Sequence, residues 1–406
     1  MSNTATLPVR PRVDINPTPL GVSLLLIVLG ALYLAQAVSA RQAALYVVGA
    51  LLGVALYHAS FGFTSSWRVF IADGRGAGLR AQMIMLAVGV ALFFPALAAG
   101  TLFGAPVTGL VSPAGTSVIV GAFIFGVGMQ LGGGCASGTL YTVGGGSTRM
   151  LVTLASFVVG SLIGTAHMPF WASMPQLQPI SMVKSLGWAP ALLLNWAVFA
   201  LIAYITVVVE KRRHGRLVPP ELRTASTARW LRGPWPMVAG ALALVLLNFA
   251  TLALSGRPWG VTSAFALWGA KAASSIGIDT ASWTYWSTKA NAAALGAPLS
   301  HDVTTVMDIG IVLGAMAAAA LAGRYAPKWR VPLRSLAAAV VGGLMLGYGA
   351  RLAYGCNIGA YFSGIVSGSL HGWLWLVAAF IGNVLGTRLR PLFGLEVERV
   401  VQQTGC

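Results

Sequence analysis

Charged side chains are scarce in this sequence. Only 9% of the 406 residues are Asp, Glu, Lys or Arg, whereas 57% are hydrophobic and the mean hydropathy is +0.78. A soluble domain carries about 25% charged residues, so a chain this poor in charge cannot cover a soluble surface of its size. The composition excludes a soluble globular protein and predicts an integral membrane protein.

Acidic residues are scarcer still. The sequence has 9 of them against 26 basic residues, which gives a net charge of +17. A balance of this kind can indicate nucleic-acid binding. Here, however, the basic residues gather in short loops between apolar segments, as determinants of membrane topology do. We therefore expect no nucleic-acid partner. One basic cluster predicts a cytoplasmic loop and consists of Lys211, Arg212, Arg213, Arg216, Arg223, Arg229 and Arg232.

Cysteine is also rare, and the three that occur, Cys135, Cys356 and Cys406, are too few and too odd in number for a disulfide framework. The sequence lacks a phosphate-binding glycine loop with its Lys-Ser/Thr, and its His and Cys residues lack metal-ligand spacing. No paired-carboxylate or serine-nucleophile arrangement is evident. We expect no enzymatic activity, no cofactor and no metal site.

Long apolar runs, by contrast, are frequent. A helix needs about 18–20 apolar residues to cross the hydrocarbon of a bilayer. The sequence predicts an all-α, polytopic integral membrane protein with about nine transmembrane helices. The clearest spans are residues 20–40, 81–103, 151–168, 189–210 and 237–254.

A Gly-Cys motif occurs twice in the chain. Residues 126–138 read GVGMQLGGGCASG and residues 347–359 read GYGARLAYGCNIG, so adding 221 carries Cys135 to Cys356. Upstream, the spans near 20–40 and 240–256 correspond in the same alignment. The sequence therefore predicts an N-terminal tail (1–19), a first membrane repeat (20–184), a linking transmembrane helix with a basic cytoplasmic loop (185–239), and a second repeat with a C-terminal tail (240–406).

The distribution of charge predicts that the two repeats have opposite orientations. The basic loop 324–334 has an uncharged counterpart at 103–113, whereas the basic segment 68–80 has a less positive counterpart near 289–302. An asymmetry that changes sign between copies is typical of inverted repeats. The span 189–210 has no mate in this alignment, and one extra crossing there would turn the second repeat over.

Both Gly-Cys motifs interrupt apolar helices. Glycine costs about 1 kcal/mol relative to alanine inside a helix, and irregular backbone at membrane depth survives only where it is buried in protein or lines a watery cavity. The short runs 136–141 and 357–362 predict dipping half-helices, whose N-terminal N–H groups can bind an anion. The glycines could instead permit close helix packing. The repetition of the break favours a binding site.

The motifs GCASGT (134–139) and GARLAYGCNIG (349–359) resemble those of the YeeE/YedE family of bacterial inner-membrane sulfur-compound transporters, as do FTSSWR (63–68) and SLHGW (369–373). The resemblance covers roughly residues 45–390. It implies an hourglass-shaped bundle of about nine crossings with short dipping helices. It also implies a location in the bacterial inner membrane. Family members that import thiosulfate pass it along cysteines by sulfur-centred hydrogen bonds, and Cys135 and Cys356 match two of those cysteines.

One position departs from the family pattern. Thiosulfate permeases of the family carry a further cysteine just before the Thr-Ser block, where this chain has Gly62. Cys406 cannot be assumed to replace that cysteine. This chain therefore lacks one cysteine of the relay that the resemblance implies, and the substrate stays open among thiosulfate, other sulfur species and selenium compounds.

The leading hypothesis is a permease or channel-like importer for thiosulfate or a related small sulfur-containing anion. The alternative is a membrane sulfur-relay protein that accepts sulfane sulfur, or a selenium compound, covalently on cysteine for a cytoplasmic sulfurtransferase. The expected partners are the lipid bilayer, the anion and, in the alternative, that sulfurtransferase. The candidate substrate-binding residues are Cys135, Cys356, Gly134, Gly355, Ser137, Asn357, Gln130, Arg351, Thr64 and Ser65.

Ionisable side chains near the apolar runs leave more than one role open. Arg351, at the repeat position of Gln130, could hold an oxyanion through its planar guanidinium or could snorkel to an interface. Asp308 could pair with Arg351, carry a proton or be solvated near a helix end, and the solvated position is favoured. His58 and His371 are expected to be interfacial rather than catalytic.

Overall fold

The computed structural model describes residues 15–217, 227–327 and 329–397. Within these ranges, ten helical segments are long and apolar enough to cross a membrane. The predicted all-α, polytopic membrane fold is confirmed, with ten candidate spans rather than about nine. The two segments with the lowest mean hydropathy, Leu333–Val366 and Leu370–Phe393, are the weakest signals in the sequence.

The first part of the chain forms nine helices. They are α1 (Pro17–Ala37), α2 (Ala40–Ala59), α3 (Phe63–Asp73), α4 (Ala77–Ala99), α5 (Thr116–Gly132), α6 (Ala136–Gly144), α7 (Thr148–Ala172), α8 (Met182–Leu186) and α9 (Trp188–His214).

The second part adds α10 to α17 and a π-helical turn, Asn357–Phe362, between α15 and α16. The helices are α10 (Thr227–Arg232), α11 (Met237–Ser255), α12 (Thr262–Ser275), α13 (Lys289–Gly296), α14 (Val303–Leu321), α15 (Leu333–Leu352), α16 (Ser363–Val366) and α17 (Leu370–Leu389). Short 3-10 turns cover Leu299–His301 and Arg390–Phe393.

Two small antiparallel ribbons lie on the connecting segments. Strand β1 (Thr101–Leu102) pairs with β2 (Ala105–Pro106), and β3 (Ala114–Gly115) pairs with β4 (Gln176–Leu177). Each strand is two residues long, so the ribbons tie loops together and contribute little to the fold.

The centre of the bundle is built from α5, α7, α15 and α17. Helix α5 packs on α15 and α17, and α15 packs on α7. Glycines allow close approach, because Gly121 lies against Gly349 and Gly132 against Gly342. The first pair joins the start of α5 to the end of α15, and the second joins the end of α5 to the middle of α15, so the two helices run antiparallel.

One end of the bundle is rich in arginine, and we call it the basic face. Glu210, near the end of α9, pairs with Arg80 of α4 at 2.8 Å and accepts from the Gly76 N–H at 3.1 Å. Arg149, at the start of α7, donates to the Gly132 carbonyl at 2.7 Å and to the Ser335 hydroxyl at 2.9 Å. The beginnings of α4, α7 and α15 therefore lie at this face, whereas α5 ends deeper in the bundle, against the middle of α15.

Candidate functional site

The first Gly-Cys motif separates α5 from α6. After α5 ends, Gly133 adopts a φ of 93°, and Cys135 becomes the N-cap residue of α6. The Cys135 sulfur accepts a hydrogen bond from the Gly138 N–H at 3.4 Å and lies 3.5 Å from the Ser137 hydroxyl. Helix α6 is thus the predicted half-helix, and a thiol lies at its N-terminus.

The second motif separates α15 from the π-helical turn. Tyr354 and Gly355 have φ values of 56° and 150°, and Cys356 is the N-cap residue of the turn. Its sulfur accepts from the Ile358 N–H at 3.4 Å. A Cβ at Gly355 would approach the Ala360 nitrogen to 2.7 Å, so this position requires glycine both for its dihedral angle and for space.

The two breaks lie beside each other in the core. Helix α6 contacts the π-helical turn, and Cys356 is close enough to Cys135 and to Asp308 for electrostatic interaction. Both cysteines are free and buried, with 2% of Cys135 and none of Cys356 exposed. The structure therefore brings together two thiols that are 221 positions apart in the sequence.

A cavity of about 410 Å³, which we call the vestibule, reaches the second break. Helix α15 begins at the basic face and rises about 1.5 Å per residue over 20 residues, so its end and the vestibule lie at the opposite end of the bundle. Gly355 and Gly359, on either side of Cys356, line the vestibule. Its other lining residues include Arg257, Thr262, Tyr285, Met307, Arg351 and Tyr354.

Arg351 lines the vestibule and is held by two hydroxyl groups. Its Nη1 donates to Tyr285 Oη and its Nη2 to Thr262 Oγ1, both at 3.0 Å. Its Nε is buried and has no hydrogen-bond partner among the described residues. The guanidinium is therefore fixed beside the cavity, and part of its donor capacity is unused.

Gln130, the repeat mate of Arg351, lies toward the basic face instead. Its Oε1 accepts from Arg68 Nη1 at 3.3 Å, and its Nε2 donates to the Thr64 carbonyl at 3.2 Å and to Asn383 Oδ1 at 2.6 Å. Both ends of the Gln130 amide are thus engaged by protein groups. The structure does not bring Gln130 and Arg351 together.

The Thr-Ser block opens α3 near the first break. Thr64 Oγ1 is buried without a partner among the described residues, whereas Ser65 Oγ donates to the Gly62 carbonyl at 3.2 Å. A Cβ at Gly62 would lie 3.7 Å from the Tyr141 hydroxyl of α6. Gly62 therefore lies beside α6 and outside the vestibule lining.

Three polar residues are more deeply buried than the sequence indicates. Asp308 is fully buried inside α14, so the prediction that it is solvated near a helix end is wrong. His58 and His371 are 3% and 1% exposed, so they are core rather than interfacial residues. Trp235 packs on the His58 ring, a contact between residues far apart in the sequence.

Asn357 follows Cys356 directly and is fully buried. Neither its Oδ1 nor its Nδ2 has a hydrogen-bond partner among the described residues. A buried amide without partners costs free energy, so its retention at the break is consistent with a ligand. Of the other candidate and basic positions in the sequence, Cys406, Arg223 and Lys328 lie outside the described residues.

Sequence reasoning missed the residues that hold Arg351. Thr262 and Tyr285 lie 89 and 66 residues away from it in the chain, and neither belongs to a motif. Arg257, which adds a second positive charge to the vestibule, lies in a short loop and gave no distinct signal. Across the described ranges, no group of three or more His, Cys, Asp or Glu residues could hold a metal ion.

Ten apolar helical segments in the described ranges surround two adjacent helix breaks, and an arginine-lined vestibule reaches one of them, as in a polytopic membrane protein with a candidate transport path. The sequence profile of the family described as "Sulphur transport" matches residues 58–385. The chain belongs to this family, and the YeeE/YedE resemblance is confirmed.

Three relatives show how far the similarity extends. "Thiosulfate transporter TsuA" of Spirochaeta thermophila is 31% identical over 288 residues, which cover 65% of this chain and 74% of that protein. "Thiosulfate transporter TsuA" of Escherichia coli is 26% identical over 353 residues, covering 83% and 91%. "Probable transporter YedE" of Escherichia coli is 33% identical over 173 residues, and the match spans 42% of each chain, less than half the length of that relative.

Proposed function

We propose that the protein imports thiosulfate or a related small sulfur-containing anion across the bacterial inner membrane. The path runs from the vestibule past Cys356 and then Cys135 to the basic face. One observation carries the proposal: the cavity that Arg351 lines is also lined by Gly355 and Gly359, which flank Cys356. The names of the two thiosulfate transporters that resemble this chain support the substrate class.

Positive charge draws the anion into the vestibule. Arg257 and Arg351 both line it, and none of the described residues that line it carries a carboxylate. The hydroxyl groups of Thr262 and Tyr285 fix the Arg351 guanidinium without neutralising it. A planar guanidinium with donors to spare suits an oxyanion, because such charge-assisted hydrogen bonds are the stronger ones.

Backbone and thiol groups take over at the breaks. Cys356 and Cys135 each cap the N-terminus of a helical segment, where N–H groups and the helix dipole favour negative charge. The unpaired Asn357 amide adds a donor beside Cys356. Thiols are weak hydrogen-bond donors with a polarisable sulfur, so they distinguish a sulfur-containing anion from sulfate or phosphate.

Beyond Cys135, the path continues toward the basic face. Ser137 lies beside Cys135, and Tyr141 of the same helix approaches Gly62 at the start of α3. The buried Thr64 hydroxyl lies on α3 and has no partner within the described ranges. In this proposal the remaining candidate, Ser65, shapes the turn at Gly62, and Gln130 positions α3 through the Thr64 carbonyl.

The repeats are inverted in this proposal. The antiparallel course of α5 and α15, which carry the matching motifs, supports it, because repeats of equal orientation would run these helices in parallel. Excess basic residues mark the cytoplasmic side, so the basic face is cytoplasmic and the vestibule opens outward.

Packing also favours a repeat that begins earlier than the sequence alignment indicates. Helix α1 packs on α14 and α9 packs on α4, while α2 and α11 pack on each other. Pairing α1 with α9 and α2 with α11 gives two copies of five spans each, about 17–172 and 188–389. An odd number of spans inverts the second copy without an unpaired linking helix.

The covalent sulfur relay differs from permeation in what it requires of the cysteines. A cytoplasmic sulfurtransferase would need access to a thiol, yet both thiols are buried. Burial within a helix-break site suits a passing ion better than a protein partner. A relay also leaves a persulfide on cysteine during turnover, whereas permeation does not.

The test is uptake of ³⁵S-labelled thiosulfate by a bacterial strain that lacks its own sulfate and thiosulfate importers. Cells expressing the chain should accumulate label, and unlabelled thiosulfate should compete better than sulfate, sulfite or selenite. Mass spectrometry of the purified protein from the same cells should show unmodified Cys135 and Cys356. A persulfide on either cysteine would favour the relay, and absence of uptake would reject the permease.

A further inference from the structure

Helix α14 carries a buried carboxyl group that no contact explains. Asp308 is fully buried, and neither of its carboxylate oxygens has a hydrogen-bond partner among the described residues. A desolvated, unpaired carboxylate is costly, and ionisable residues inside membrane spans mark ion or proton pathways. Packing alone would be served better by an apolar residue.

Asp308 lies next to the vestibule lining on α14. Val303, Thr304 and Met307 of the same helix line the vestibule, and Asp308 follows Met307 directly. It is also close enough to Cys356 for electrostatic interaction. An anion that moves from Arg351 to Cys356 therefore passes near this carboxyl group.

Neighbouring ionisable groups do not neutralise Asp308. Lys271 of α12 donates to the Leu295 carbonyl at 2.6 Å, and Tyr46 of α2 donates to the Leu26 carbonyl at 3.0 Å. Asp302 caps α14 through the Thr305 N–H. The other ionisable residues on or beside α14 and the elements packed against it include Tyr33, Arg41, Tyr57, His58, Cys135, Tyr141, Arg232, His301, Arg324 and Cys356.

The equivalent place on α4 holds an amide. Gln82 is the sixth residue of α4, as Asp308 is of α14. Gln82 Oε1 accepts from Trp67 Nε1 at 2.9 Å and from Tyr361 Oη at 3.4 Å. An amide cannot exchange a proton at physiological pH, so a titratable group occupies only the vestibule-side copy of this position.

We propose that Asp308 carries a proton inward together with the anion, so that the permease is an anion–proton symporter. The inference rests on the proposed transport function. Protonated Asp308 donates its O–H to the anion beside Cys356, whereas the carboxylate would repel it. In each cycle the carboxylate takes one proton from the vestibule and releases it toward the basic face.

Thermodynamic linkage makes the coupling reciprocal. An anion that binds better when Asp308 is protonated also raises the proton affinity of Asp308. The coupling also has an energetic reason, because a membrane potential that is negative inside opposes the inward movement of a dianion. Each proton carried along cancels one of the charges that the potential opposes.

The experiment uses the purified full-length protein in liposomes that contain a pH-sensitive dye. With the outside acidic, initial uptake of labelled thiosulfate should rise several-fold, and added thiosulfate should acidify the lumen. Asp308→Asn should lose both the stimulation by outside acid and the acidification of the lumen. It should still exchange internal unlabelled thiosulfate for external labelled thiosulfate, because exchange needs no proton release. Asp308→Glu should retain coupling at a lower rate.

Asp302→Asn is the matched control, since it makes the same substitution on the same helix. Asparagine is as good an N-cap as aspartate, so this variant should keep both the gradient effect and lumen acidification.

Net uptake by the wild type without lumen acidification would overturn proton carriage and leave the permease intact. Proton carriage would also be overturned if Asp308→Asn kept the effect of the pH gradient or lost thiosulfate exchange at normal protein abundance. Exchange by Asp308→Glu without proton coupling would overturn it as well. Lack of thiosulfate exchange by the wild type would overturn transport itself, and the inference with it.

Discussion

The Nη2 atom of Arg351 donates a hydrogen bond of 3.0 Å to the hydroxyl of Thr262, which lies 89 residues earlier in the chain. This contact joins the end of α15, just before the second Gly-Cys motif, to the start of α12. It holds a buried positive charge against the vestibule, next to the backbone that bears Cys356. Substitution of Arg351 therefore tests whether an anion enters through this end of the molecule.

Removal of the Arg351 charge should weaken anion uptake. Arg351→Gln, which installs the side chain of its repeat mate, removes a charge-assisted hydrogen bond of about 1.5–3 kcal/mol, so the KM for thiosulfate should rise roughly tenfold or more. Arg351→Lys should restore activity in part, because lysine lacks the planar fork. Uptake kinetics in cells with matched protein abundance measure both. An unchanged KM in the glutamine variant would assign Arg351 to a structural role.

The two hydroxyl groups that hold Arg351 should matter less than the charge. Thr262→Val keeps the shape of the side chain and removes one hydrogen bond, so KM should rise only a few-fold, in line with about 1 kcal/mol. The same uptake assay compares this variant with Arg351→Gln. A larger rise in KM for Thr262→Val than for Arg351→Gln would show that α12 contributes to uptake by more than holding the guanidinium in position.

Two glycines beside Cys356 should respond differently to alanine. Gly355 has a φ of 150° and lacks space for a Cβ, so Gly355→Ala should lower the abundance of folded protein in the membrane. A Cβ at Gly359 would meet no atom within 4 Å, and this glycine lines the vestibule, so Gly359→Ala should fold normally and slow uptake by narrowing the path. Membrane abundance and initial uptake rates, measured together, separate the two effects. Equal abundance for both variants would contradict the described break.

Surface labelling should establish the orientation of the repeats. Ala105→Cys and Ala326→Cys place thiols at exposed positions in the counterpart loops. If the repeats are inverted, a membrane-impermeant thiol reagent should label position 105 from outside intact cells and position 326 only after the cells are opened. The wild type, with its buried Cys135 and Cys356, gives the background. Labelling of both loops from the same side would require repeats of equal orientation.

The class of the protein and the location of the helix breaks could be predicted from sequence because both depend on local composition. Low charge and long apolar runs indicate a membrane bundle, and glycines before Cys135 and Cys356 mark where the helices end. The internal repeat then predicts that both motifs share one role. The structure adds that the two breaks lie side by side.

What the sequence could not predict depends on contacts between distant residues. Asp308 lies in an apolar run, and only the packing of α2, α6 and α12 on α14 shows that it is buried rather than solvated. Gln130 and Arg351 align in the repeat, yet Gln130 joins α5 to α3 and Arg351 lines the vestibule. Equivalent positions in two copies of a motif need not share their surroundings.

The most direct test of the central claim compares alanine and serine at the two cysteines. If Cys135 and Cys356 are merely small core residues, alanine should be tolerated at least as well as serine, because a buried hydroxyl without a partner costs about 1–3 kcal/mol. If they contact the anion, serine should retain intermediate uptake and alanine little, at normal membrane abundance. The account therefore predicts that the Cys135→Ala, Cys356→Ala double variant reaches the membrane and fails to take up labelled thiosulfate. Full uptake by that variant would contradict it.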